Sequence, residues 1–160
     1  MQGYTIRRAQ ESDTEDILKL LVQVDMVHHK GRPDIFKGPA TKYTAQELKA
    51  LYQDDSRPIF VSIDKDGHVA GYAFCIFQET EDNNNMVGHK TLYIDDLCVD
   101  ENVRGCHIGS SLYKYVKDFA KKEGCYNLTL NVWECNPTAK IFYEHMGLLP
   151  QKTYMEAVLA

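Results

Sequence analysis

The sequence predicts an α/β chain, a mixed α+β sheet in the order β-α-α-β-β-β-α-β-α-β, with helices on both faces. Three observations predict it. Short runs rich in β-branched and aromatic residues alternate with apolar repeats at helical spacing. Turn and cap residues, among them Asp66-Gly67, Gly124 and Gly147, stand where those runs end. A strand, a long amphipathic helix and a second strand follow one another in the second half, which predicts a right-handed crossover.

Each element has its own signal. Tyr4 to Ala9 alternates and reads as a short strand. Ser12-Asp13-Thr14-Glu15 is a capping-box pattern, and Ile17, Leu20, Leu21, Val24 and Val27 then carry a helix to about His28. His28 to Pro39 is too broken by Gly and Pro for regular structure. A second helix is expected from Thr44 to Gln53, with Leu48 and Leu51 inward. Ile59 to Ile63 and Val69 to Phe77 are strands joined by Asp64-Lys65-Asp66-Gly67, a hairpin turn. Glu79 to Asn85 is a polar surface loop, and Thr91 to Val99 a long strand. Ile108, Leu112, Tyr115, Val116, Phe119 and Ala120 place a helix that Gly124 ends. Tyr126 to Val132 reads as a strand, Pro137 to Met146 as a short helix closed by Gly147, and Thr153 to Leu159 as a last strand.

Bulk properties narrow the function. The 160 residues fit one domain covering residues 1 to 160, long enough to bury a core without metal or disulfide staples. A net charge of −5 argues against nucleic acid, whose phosphates need a basic face. Cys75, Cys98, Cys106, Cys125 and Cys135 are odd in number and show no zinc or redox spacing, which predicts a reduced, cytoplasmic protein with no metal. Met1 to Arg8 has no apolar run of the kind an export signal carries, and no stretch is long enough to span a bilayer.

Three segments carry chemistry. At Val99 to Ser111 a strand meets a small-residue turn and then a long helix. The free amides of that first turn, the helix dipole, Gly105, Gly109 and the Arg104 guanidinium could together cradle a phosphate, although an ordinary tight turn also explains the glycines. In Ile94-Asp95-Asp96-Leu97, strand alternation sends the two carboxylates to opposite faces, and a buried one needs a partner or a cleft. An edge strand with one wet aspartate is the plain alternative. In Asn136 to Gly147, Asn136 suits an N-cap, Pro137 the first helical position and Gly147 the left-handed cap. Ala139, Phe142 and Met146 form a core stripe there, and Tyr143 sits beside it; taken alone, a tyrosine on a short helix reads as a packing residue.

Together these residues resemble the GNAT superfamily of N-acetyltransferases, most specifically from Leu92 to Gly147. The turn Arg104-Gly105-Cys106-His107-Ile108-Gly109 is similar to that family's pyrophosphate loop, except that His107 replaces the expected first glycine. Asn136, Pro137, Ala139, Phe142, Tyr143 and Gly147 match its second motif. The resemblance implies the GNAT acyl-CoA N-acyltransferase fold and acetyl-CoA as co-substrate. It implies that the backbone of Leu97 and Val99, beside Cys98, pairs with the pantetheine arm. It further implies that Arg104, Gly105, Cys106, His107, Ile108, Gly109 and Ser110 hold the pyrophosphate, and that Asn136 and Lys140 contact the cofactor. Tyr93 to Val99 is similar to the corresponding strand of spermidine/spermine acetyltransferases, which implies Asp95 as base. Tyr143 is then the acid for the departing thiolate, the Leu97 amide the oxyanion donor, and transfer direct, since no cysteine lies in a Cys/His arrangement.

The same resemblance makes His28 to Tyr43 the acceptor wall. It leaves the acceptor open among a small polyamine-like or metabolite amine, an antibiotic amine, and a protein N-terminus or lysine. A homodimer is implied as well, and the final strand near Met155 to Leu159 is a candidate for pairing across chains. Two other readings remain at this level: a coenzyme-A-binding sensor without catalysis, and a structural module without cofactor.

Overall fold

The computed structural model describes residues 3–160; Met1 and Gln2, the start of the stretch without an apolar run, lie outside the described residues. The elements are β1 (Tyr4–Arg8), α1 (Thr14–Gly31), α2 (Ala45–Leu51), β2 (Ile59–Asp64), β3 (Val69–Thr80), β4 (His89–Val99), α3 (Ile108–Lys122), β5 (Asn127–Leu130) and α4 (Pro137–His145). The five strands form one sheet in chain order. Neighbours from β1 to β4 are antiparallel, and β5 joins β4 in parallel.

Alternation along the strands builds two cores, one on each face. Ile59, Val61, Ile63, Tyr72, Phe74 and Cys98 face α1 and α2, where Ile17, Leu20, Leu21 and Leu48 meet them. Phe60, Ala73, Cys75, Leu92 and Ile94 face α3 and meet Val116 and Ala120. Near the other end of α3, Ile108 and Leu112 cover Ala70. At Gly71 any Cβ would lie 2.9 Å from the Cys98 carbonyl oxygen and 3.0 Å from Leu112. Only glycine lets the opening turns of α3 press this closely onto β3 and β4.

The local signals held at most joins. Asp64 accepts from the amides of Asp66 and His68, both at 2.9 Å, and Gly67 takes φ 88° to close the hairpin. Asn136 accepts from the Ala139 amide at 3.4 Å with Pro137 following, and Gly147 adopts φ 95°. At the entrance to α1 the side chain that matters is Asp13 and not Ser12. Its buried carboxylate takes both arms of Arg7, at 2.7 and 2.9 Å, and the Gln10 amide at 2.9 Å. A forked charge pair that ties β1 to α1 outweighs a neutral cap.

Two expectations fail. Thr153 to Leu159 forms no strand: residues 151–160 have no regular structure, and none of their backbone groups hydrogen-bonds to a described residue. The β pattern there is real, but it pairs with no described strand of its own chain. The stripe Ala139, Phe142 and Met146 is only half-buried, because α4 covers the margin of the sheet and not its centre.

Candidate active site

The site begins where β5 leaves β4. The two strands pair only from Thr91 with Asn127 to Ile94 with Leu130. Beyond that point β4 runs on to Val99 bonded to β3 alone, Leu97 opposite Ala73 and Val99 opposite Gly71. One edge of residues 95–99 therefore carries backbone donors and acceptors with no strand beside them, a slot able to take an extended amide chain.

The slot leads to the first turn of α3. His107 caps that helix at φ 60°, the left-handed region, and its side chain is exposed. Glycine occupies this conformation freely, while histidine pays roughly 1–2 kcal/mol for it. The loop thus keeps the path a glycine would take, with the imidazole turned out to solvent. Gly105 takes φ 89°, the first turn of α3 holds no acid, and Ser110 donates from Oγ to the His107 carbonyl at 3.1 Å. Lys114 and Lys117 line an open groove on the same helix with Ser110, Ser111 and Met146. Free amides, two lysines and no carboxylate suit a diphosphate.

Beside the slot stand the two aspartates, and they share a face. The register of β3 against β4 slips between Phe74 and Cys75, so that Asp96 lies opposite Phe74 while Ile94 lies opposite Cys75. A β-bulge places one extra residue there. Ile94 and Leu97 both pack toward α3, and both carboxylates emerge on the α1 side. The prediction of opposite faces fails for this reason.

Their surroundings differ. Asp95 has a donor on each oxygen: Lys42 donates at 2.7 Å to one and the Tyr43 hydroxyl at 2.6 Å to the other. Tyr43 in turn stacks flat on Phe74, 5.2 Å between centroids, and Arg57 donates to its hydroxyl at 3.2 Å. Asp96 accepts from the Tyr72 hydroxyl at 2.7 Å, and no other described side chain donates to it. Burial pushes its carboxyl up to about 6, a rise that the Tyr72 bond and the Lys42 charge oppose and the Asp95 charge reinforces.

Tyr143 completes the constellation. The side chain is half-buried and its hydroxyl makes no hydrogen bond to a described residue; burial, then the Asp96 charge, hold its pKa above the usual phenol value. Cys98 is no nucleophile here. Its thiol turns to the Leu20 carbonyl at 3.8 Å, and burial keeps it protonated.

A profile of the acetyltransferase (GNAT) family matches residues 26–148. The chain belongs to that family. Among curated proteins it is 28% identical over 104 residues to the glucosamine 6-phosphate N-acetyltransferase of Arabidopsis thaliana, a match covering 64% of each chain. It is 33% identical over 93 residues to the streptothricin acetyltransferase of Streptomyces lavendulae, covering 58% of this chain and 44% of that one. The chain thus spans less than two thirds of the length of these relatives. Among solved structures, a mutant of the BH1408 protein from Bacillus halodurans superposes with a TM-score of 0.93 at 31% identity, over 98% of this chain and 99% of the other. The Arabidopsis glucosamine-6-phosphate enzyme superposes with a TM-score of 0.72 at 22% identity, over 99% and 100%, a likeness of fold.

Within this GNAT chain the folding brings together most residues that the sequence singled out. Leu97 and Val99 line the slot, and Arg104 to Ser110 turn at its end. Asn136 caps α4, and Tyr143 stands on it. Lys140 reaches Glu134 at 3.3 Å, on the exposed side of α4. Parts of the segment His28 to Tyr43 come to these residues. His28, Phe36 and Trp133 cluster at centroid distances of 4.9 to 6.2 Å, and Lys42 and Tyr43 reach Asp95. Sequence reasoning missed Tyr72 and Trp133 as site residues and placed Lys42 and Tyr43 only as part of the acceptor wall. One signal for the bulge was readable: the apolar positions Leu92, Ile94, Leu97 and Val99 step by two, three and two.

Proposed function

We propose that residues 1 to 160 form one N-acetyltransferase domain that moves the acetyl group of acetyl-CoA directly onto a primary amine. The observation that carries this reading is the slot along residues 95–99, running from the first turn of α3 to a carboxylate pair and an unbonded phenol. When bound, acetyl-CoA supplies an activated thioester. The chain's part is to hold it: Leu97 and Val99 by backbone pairing, Arg104 to Ser110 at the diphosphate, Asn136 and Lys140 along α4. The Leu97 amide serves as donor to the oxyanion, Tyr143 protonates the departing thiolate, and a β4 carboxylate (Asp95 by resemblance) takes the amine proton.

Both curated relatives are named for small-molecule amines, which supports a small-molecule acceptor over a protein terminus. The aromatic and cationic wall of His28, Phe36, Lys42 and Trp133 is compatible with such a ligand. His107 does not favour a non-catalytic coenzyme-A sensor, because its backbone keeps a glycine-like path and its ring points to solvent. Five free cysteines fit a reducing, cytoplasmic setting, and no described helix is long and apolar enough to cross a membrane.

We also propose a homodimer. Tyr154, Met155 and Leu159 are 100%, 84% and 96% exposed on a tail without backbone partners, while β5 is paired on one edge only. A second copy's β5 offers such a strand a free edge.

The test is thiol release from acetyl-CoA with glucosamine 6-phosphate, streptothricin, an aminoglycoside, spermidine and a short peptide. Release with a small amine is expected. No release with any of them, and no thermal shift with coenzyme A, would remove the enzyme reading.

A further inference from the structure

We infer that Asp96, hydrogen-bonded by Tyr72, is the group that takes the proton from the attacking amine, and that Asp95 anchors the acceptor's positive charge. This rests on the acetyltransferase reading above and assigns the two carboxylates within it.

Geometry separates their work. Both Asp95 oxygens are occupied, by the Lys42 ammonium at 2.7 Å and the Tyr43 hydroxyl at 2.6 Å. A carboxylate bonded to an ammonium is configured to hold a cation, and Lys42, half-exposed on a wall loop, occupies the place an acceptor ammonium would take. Asp96 carries a single side-chain donor, the Tyr72 hydroxyl at 2.7 Å. The charge of Asp96 also reaches the Tyr143 phenol on α4, whose pKa it raises. The bulge is what turns Asp96 onto the same side as Asp95, so that a nitrogen held by one carboxylate stands near the other.

The groups around Asp96 are few. From β3 comes Tyr72; from β4 come Asp95, Cys98 and Tyr93; from the wall loop Lys42 and Tyr43; from α4 Tyr143. Burial places its carboxyl at about 6, ionised at neutral pH yet more basic than an exposed aspartate, as a general base requires.

In the step itself the acceptor ammonium first gives a proton to Asp96, which passes it to solvent. The freed lone pair then forms the C–N bond to the thioester carbonyl, and the nitrogen becomes acidic again as it does so. Its proton passes to Asp96. The C–S bond breaks with its electron pair on sulfur, and sulfur takes the Tyr143 proton. The proton on Asp96 then returns through solvent to the tyrosinate, so the enzyme ends as it began.

Two experiments decide. In the free protein, carbon NMR of labelled aspartate carboxyls should show one resonance titrating near 6. Asp96→Asn should remove it, and Tyr72→Phe, which deletes the donor to the ionised form, should move it upward. In turnover with the fastest amine of the panel at saturation, wild-type rate should fall as pH drops through about 6. Tyr72→Phe should shift that limb to higher pH, and Asp96→Asn should abolish it with a loss of about 100-fold or more. Asp95→Asn should raise the acceptor KM while the limb stays. The assignment is overturned if the resonance near 6 survives Asp96→Asn or is absent from the wild type. It is overturned equally if Asp95→Asn takes the limb and Asp96→Asn does not. A protein silent toward every amine would count against the acetyltransferase reading, and the NMR titration would still decide on Asp96.

Discussion

Three side chains show how burial and backbone conformation set function one residue at a time. Tyr143 has no hydrogen-bond partner to lose, so Tyr143→Phe should leave acetyl-CoA binding intact while turnover falls about 10- to 1000-fold. Equal turnover in the two proteins, measured by thiol release, would take the phenol out of the chemistry. His107 sits at φ 60°, where asparagine is more at ease than histidine. His107→Asn should therefore hold or raise stability, by up to about 1 kcal/mol, in chemical denaturation. Asp96 has a folded-state pKa raised from 3.8 to about 6. The folded protein holds that proton more tightly than the unfolded chain, so the contribution favours folding below about 4 and is lost as pH rises through 6. Asp96→Asn should accordingly melt higher than wild type at pH 8, with the gap closing by pH 4. A gap independent of pH would mean the carboxyl is not desolvated. None of these three environments is written in the residue itself: a tyrosine and an aspartate in a strand or helix read as packing until their neighbours are known.

At the scale of elements, each join that positions the site rests on a short-range signal and a long-range one. The cap at α4 is local: Asn136, Pro137 and Gly147 are legible by type and spacing, and Asn136→Ala should cost about 1 kcal/mol by thermal melt. The wall loop is not local. Its Gly and Pro residues announce irregular backbone, but what holds it is Phe36 against His28 and Trp133, Ala40 donating to Asp25 at 3.0 Å, and Tyr43 stacked on Phe74. Phe36→Ala should raise the acceptor KM more than the acetyl-CoA KM. Trp133, the one tryptophan of the chain, gives a fluorescence readout of the same loosening. The bulge in β4 lies between these cases. Its step of three in the apolar pattern is visible, but simple alternation hides it, and the error puts an aspartate on the wrong face.

For the whole molecule, the open question of assembly turns on the tail. Deleting residues 151–160 removes a segment that makes no backbone bond to a described residue, so the fold should survive and light scattering should report a monomer. A truncated protein that keeps the mass of the full-length one would place any interface elsewhere. The sequence by itself determined the nature and order of nearly every element, the phosphate-loop and α4 motifs, and the family. Those depend on periodicity, caps and turn residues, which act over a few residues and are read directly. Only the tertiary structure decided which carboxylate is desolvated, which is occupied by Lys42, and that the last β pattern finds no partner in its own chain. Desolvation, ion pairing and strand registration each join groups tens of residues apart, and no local pattern records which distant neighbour arrives.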